Sequence, residues 1–214
     1  MNNELIKKIA GVYVITDETI YSGRTHVQIV EAALEGGAKV VQLRDKTASD
    51  EYMIEAGKVI RKLTSEAGAL FIVNDRLEVA LACDADGLHA GQSDRPAKEL
   101  REALGEKLLG ISAATVDEAK RAKADGADHL GVGPVFSTST KSDAGDATGV
   151  CMLPLLKAAT HLPIVAIGGI NESNIGEIAK SGIESASVIS AVVCADDMVL
   201  AVKRLIAIWD ENKR

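Results

Sequence analysis

Gly11-Val12-Tyr13-Val14-Ile15-Thr16-Asp17-Glu18 holds the first strand-like run of the chain, and the residues that end this run decide the fold class. The β-branched and aromatic residues at 12–15 suit a buried strand. A doubly wound dinucleotide-binding sheet places G-x-G-x-x-G at this first turn, so that backbone can approach a pyrophosphate. Here the turn reads Thr-Asp-Glu. Outward from it come seven more short apolar runs, at 39–43, 69–73, 86–89, 108–112, 128–132, 163–167 and 186–190. Between them lie Ala/Glu/Lys-rich stretches with helical spacing, among them 25–36, 50–67, 115–125, 173–181 and 195–210. Strict alternation of strand and helix predicts a parallel sheet, and eight units close it into a single (β/α)8 TIM barrel spanning 1–214 as one catalytic domain. The open doubly wound sheet is the runner-up, without its fingerprint. Gly recurs where a helix hands over to the next strand, as in Gly36-Gly37-Ala38, Asp125-Gly126-Ala127 and Ser181-Gly182-Ile183.

The chain has 214 residues, 47% hydrophobic and 26% charged, which suits one barrel-sized core. Its formal net charge of −7 argues against a chain-wide electrostatic surface for nucleic acid or an anionic membrane, so any anion site is local. Cys83, Cys151 and Cys194 are odd in number and form no C-x-x-C pair, which points to a reducing compartment and to packing roles for all three. With no apolar run of membrane-spanning length and no secretory leader pattern, the expected setting is cytoplasmic. A homo-oligomer is compatible with the sequence, which sets no oligomeric state.

In a barrel the catalytic face is built from residues just past the strand ends. After the second run stand Gln42-Leu43-Arg44-Asp45-Lys46, where the period of two puts Gln42, Arg44 and Lys46 on one face. Two cations beside an amide call for an anionic partner such as a polyphosphate, with Arg supplying a planar fork and Lys a point charge; a solvated strand end paired with Asp45 serves equally when the motif is read alone. Asn74-Asp75-Arg76 and Gly91-Gln92-Ser93-Asp94 end the third and fourth runs. Two carboxylates at one mouth suit Mg²⁺, which takes one or two carboxylates and completes its shell with water and phosphate oxygens; the plainer reading makes each Asp a cap or turn residue. The sixth run leads into a long loop over 137–149, which holds Thr138, Thr140 and Lys141 and could close over an oxyanion. Gly168-Gly169-Ile170-Asn171 comes after the seventh run and Ile189-Ser190 ends the eighth, the place where barrels bind a phosphate on backbone N–H groups. The four histidines show no metal-ligand spacing, and no chemistry is assigned to them; His89 could face the pocket.

Taken in order, Tyr13-Val14-Ile15-Thr16-Asp17, Gln42 to Lys46, Asn74-Asp75-Arg76, Gly87-Leu88-His89 with Gly91 to Asp94, Gly110-Ile111-Ser112, Thr138 to Lys141 and Gly168-Gly169-Ile170 resemble the thiamine-phosphate synthase family over nearly the whole chain. The resemblance implies a Mg²⁺-dependent enzyme that joins a hydroxymethylpyrimidine diphosphate to a thiazole phosphate. Gln42, Arg44, Lys46, Asn74, Ser112 and Lys141 would hold the pyrimidine diphosphate, with Arg44, Ser112 and Lys141 acting in catalysis. Asp75 and Asp94 would bind the metal, and Thr138, Thr140, Gly169, Ile189 and Ser190 the thiazole phosphate. It also implies dissociative chemistry, in which diphosphate departs before the thiazole nitrogen attacks. Two positions depart from the family pattern: Ser137 where Pro is frequent, and Ala114 where a His is frequent. A thiazole tautomerase on the same barrel, which typically uses such a His, and a non-catalytic phosphate-binding regulator are the alternatives; a phosphosugar isomerase or epimerase would need an acid/base pair that these motifs do not offer.

Overall fold

In the computed structural model, which describes residues 3–21, 23–138 and 147–213, every strand-like run becomes a strand. These are β1 (Gly11–Ile15), β2 (Val40–Leu43), β3 (Leu70–Asn74), β4 (Gly87–Ala90), β5 (Leu108–Ser112), β6 (His129–Val132), β7 (Ile164–Ala166) and β8 (Ser185–Val188). Each pairs in parallel with its sequence neighbour, and β8 returns to β1 with Gly11 opposite Ser185 and Val14 opposite Val188, so the barrel is closed. The strands are short and buried on both faces, as a parallel sheet ringed by helices requires. The expected eighth strand over 186–190 ends instead at Val188, and Ser190 begins a short helical turn.

The outer ring consists of α2 (His26–Glu35), α3 (Asp50–Ala67), α4 (Leu77–Ala82), α5 (Ala97–Leu104), α6 (Val116–Ala124), α7 (Met152–Thr160), α8 (Ile175–Lys180), the turn α9 (Ser190–Val193) and α10 (Met198–Asn212), preceded by α1 (Asn3–Lys7). Several starts are set by the residues themselves. Thr25 with Gln28 and Thr115 with Glu118 form reciprocal capping boxes, while Ser49 and Asp197 each accept an amide of the first turn. α10 packs on α8, α2 and β1 and so seals the seam where the first and last strands meet. One apolar core runs between barrel and helices through residues such as Ile29, Phe71, Leu100, Leu156 and Leu205. Cys83 is buried in it as expected, but Cys151 and Cys194 are exposed, because they fall at the ends of α7 and α9 on the rim, away from the packed layers.

Candidate active site

The barrel lumen is polar toward its C-terminal end. Tyr13, Gln42, His89, Ser112, Gly131 and Ser187 share a small space of about 30 Å³, in which the Gln42 amide donates to the Tyr13 hydroxyl at 2.8 Å. His89 Nε2 lies 3.0 Å from Ser112 Oγ, and its ring stands 5.7 Å from that of His129. His129 is fully buried with neither ring nitrogen partnered, and burial pushes its pKa down to about 4. Gly110 leaves room for this pair: a Cβ there would overlap the His129 ring and sit 2.5 Å from His89 Nδ1.

Above this floor the mouth divides in two. On the β1–β4 side, Arg44 is buried and donates to Asp17 Oδ2 at 2.8 Å, with Nε left unpartnered. The partner is therefore Asp17 across the strand pair, not Asp45, whose carboxylate turns to the other side. Thr16 Oγ1 fixes the Arg44 amide at 3.1 Å. Asn74 ends β3, and Asp75 takes a left-handed backbone, φ 57°, that turns the chain at once. Asp75 and Asp94 are brought together as the sequence suggested. Burial comes first and the hydrogen bond and charge of Asp94 second, and together they push Asp75 up to about 6, while Lys46 and Asn74 pull it back. Asp94 also accepts the Gly91 amide at 2.7 Å, so the turn role and the paired role coexist.

On the β5–β8 side a cavity of about 320 Å³ is lined by Gln92, Ser112, Thr138, Gly168, Gly169, Ile189 and Ser190, among others. Gly168 and Gly169 have φ of 101° and 65°. A side chain on Gly168 would meet Pro134 at 2.5 Å, and one on Gly169 the Ser137 carbonyl at 2.6 Å, so only glycine lets the backbone form this wall. Gln92 donates to the Ser112 carbonyl at 2.6 Å and links the two halves. Thr140 and Lys141 lie outside the described residues. Ala114, exposed after β5, brings no proton-transfer group to the rim.

The sequence matches the family model described as thiamine monophosphate synthase over residues 12–192. The chain belongs to the thiamine monophosphate synthase family. It is similar to thiamine-phosphate synthases of Chloroflexus aurantiacus, at 49% identity over 92% of this chain and 91% of that one, and of Moorella thermoacetica, at 50% over 90% and 92%. Its fold superposes on thiamine phosphate pyrophosphorylase from Pyrococcus furiosus with a TM-score of 0.88 and 40% identity, covering 96% of this chain and 98% of the other. The matched span runs from β1 into α9, so it takes in both halves of the mouth.

Two features of this family member are not visible in the sequence. Asp17 has no role until β1 and β2 are paired. Glu18, His26 and Asp45 also converge, their ligand-type atoms all within 4.8 Å of one another, although they come from three segments with no metal-ligand spacing.

Proposed function

We propose that this chain, as one catalytic domain over 1–214, condenses 4-amino-2-methyl-5-hydroxymethylpyrimidine diphosphate with thiazole phosphate to give thiamine phosphate and diphosphate, the transfer of an alkyl group other than methyl. The observation that carries the residue-level reading is the division of one mouth into a charged half and a backbone half. The charged half, with Arg44, Lys46, Asn74 and the Asp75–Asp94 pair, suits a diphosphate with a divalent cation. The other half, walled by Gly168 and Gly169 and lined by Thr138, Ile189 and Ser190, suits a monophosphate ester held by amides and hydroxyls.

Mg²⁺ fits the carboxylate pair. Two carboxyls that share a hydrogen bond, one of them pushed up to about 6, accommodate their mutual repulsion by keeping a proton, and a dipositive ion substitutes for that proton at neutral pH. When bound, the metal supplies positive charge to a leaving diphosphate. The chain's own residues do the rest. Arg44 and Lys46 orient the diphosphate, and the family resemblance assigns Lys141, which lies outside the described residues, to the same group. Gln42 and Ser112, at the lumen floor, face the pyrimidine. The bond from the methylene carbon to the diphosphate oxygen breaks with its electron pair going to diphosphate, and the thiazole nitrogen lone pair then forms the new carbon–nitrogen bond. Stabilisation of the departing anion carries this chemistry, and no covalent nucleophile is required. Ala114 weighs against the tautomerase reading, which would place an acid/base group near that position.

Among the described residues no helix is long and apolar enough to cross a membrane. The test is direct. Purified protein is incubated with the pyrimidine diphosphate, thiazole phosphate and Mg²⁺, and thiamine phosphate and diphosphate are quantified. Equal accumulation of both products supports the reading, and saturable binding of both substrates without product would make the chain a regulator.

A further inference from the structure

Beside the charged half of the mouth, and separate from the Asp75–Asp94 pair, three side chains from three elements point at one another. Glu18 lies just past β1, His26 opens α2, and Asp45 lies just past β2. The His26 ring has no exposed surface, and its Nε2 has no hydrogen-bond partner. That nitrogen faces Asp45 Oδ2 at 3.5 Å and Glu18 Oε1 at 3.7 Å, longer than an ordinary hydrogen bond. The other ring nitrogen is occupied: Nδ1 lies 2.8 Å from Thr16 Oγ1, which orients the imidazole. Asp45 directs Oδ1 to Thr47 and Ala48, at 2.7 to 2.9 Å, and turns Oδ2 toward His26. Glu18 is steadied by the Tyr52 hydroxyl, 2.9 Å from Oε1 and 3.0 Å from Oε2, and by the His26 amide.

We propose that Glu18, His26 and Asp45 form a second divalent-cation site, of the Zn²⁺ class, that ties the ends of β1 and β2 to the start of α2. The two separations from the imidazole suit the ion, and all three ligand atoms lie within 4.8 Å of one another. Ligands about 2.0–2.2 Å from a tetrahedral centre lie about 3.3–3.6 Å from one another, close to the 3.5 and 3.7 Å observed. One imidazole with two carboxylates is a donor set for Zn²⁺ or a neighbouring first-row ion, not for Mg²⁺, which prefers oxygen. Two carboxylate charges balance a dipositive ion, and the partly exposed edge of Glu18 leaves room for water as a fourth ligand. Burial, the largest influence, pushes the His26 pKa down against the pull of Glu18 and Asp45, which favours the neutral imidazole a metal needs.

The site would act on the diphosphate half from behind, because Glu18 and Asp45 directly follow Asp17 and Arg44 and His26 meets the Thr16 hydroxyl that also holds the Arg44 amide. It does not depend on the catalytic reading, and the test keeps the two apart. The double variant D75N/D94N, which silences the catalytic pair, is stripped with chelator and titrated with Co²⁺ under visible spectroscopy. About one equivalent is expected to bind, with the intense d–d bands of a four-coordinate ion, and Zn²⁺ should displace it. Adding His26→Gln, or separately Glu18→Gln, should abolish the bands while far-ultraviolet circular dichroism and cooperative unfolding persist. No saturable Co²⁺ or Zn²⁺ binding by folded D75N/D94N protein overturns the proposal, as do bands that survive in folded protein carrying His26→Gln.

Discussion

Replacing Asp75 by Asn in the metal-free protein is expected to stabilise it while removing activity. Asp75 stands at about 6 against an ordinary 3.8 because burial and Asp94 oppose its charge. The folded state therefore binds this proton more tightly than the unfolded chain does, and stability falls as pH rises from about 4 through 6. The whole shift corresponds to at most about 3 kcal/mol. Solvent screening and the sharing of one proton between two carboxyls reduce the usable part to about 1–2 kcal/mol. Asn keeps the shape and drops the charge, so near pH 7.5 in chelator the variant should melt about 2–8 °C above the parent, with the gap closing near pH 4.5. Mg²⁺ should raise the parent's melting temperature at pH 7.5 and the variant's far less, and thiamine phosphate formation should fall sharply. Calorimetry at both pH values, with and without the metal, is the assay. A variant that melts below the parent at pH 7.5, or by the same margin at both pH values, would refute the charge argument.

Asp17→Ala leaves the buried Arg44 guanidinium unpaired and should cost about 3–5 kcal/mol by urea unfolding, whereas Asp17→Val combined with Arg44→Met should recover most of it. His129 is buried neutral at about 4, so it costs stability as pH falls from about 6.5 toward 4, up to about 3 kcal/mol; His129→Leu should flatten that acid limb in denaturant titrations relative to the parent. This limb is opposite in sign to that of Asp75, so the informative quantity is the difference between variant and parent, not the absolute curve. Lys141→Ala is expected to lower kcat more than it raises KM for the pyrimidine diphosphate, and Thr140→Ala mainly to raise KM for the thiazole phosphate; an unchanged kcat in the lysine variant would make it a binding residue only.

The barrel is legible because each strand is a short apolar run ended by an abrupt polar signature, and both signals are local. Asp75 with Asp94 is legible for a related reason: residues ending adjacent parallel strands meet at the same mouth. Side-chain partners are not. Spacing along one strand offers Asp45, the neighbour in sequence, as a partner for Arg44, but alternation sends Asp45 to the opposite side, toward His26, and leaves Arg44 facing Asp17 beyond β1. The cluster of Glu18, His26 and Asp45 depends on where α2 starts relative to two strand ends, a tertiary fact with no period to announce it. The helices at Leu77–Ala82, Ala97–Leu104 and Met152–Thr160 fill the remaining gaps between strands, as strict alternation of strand and helix requires. The apolar pattern carries the eighth strand two residues too far because Ile189, though buried, belongs to the turn that begins α9.

The pairing of β1 with β8 has a consequence for how the chain is made. On a ribosome β1 emerges before the other seven strands, yet the strand that completes its hydrogen bonds begins only at Ser185. Until then the growing sheet has two open edges, β1 at one side and the most recently made strand at the other, and each can pair with a neighbouring chain. Closure waits for β8, and α10 is then laid across the seam against α2, α8 and β1. Substitutions late in the chain should therefore reduce the yield of soluble protein more than their cost to the finished barrel would suggest, because they prolong the interval in which β1 lies unpaired.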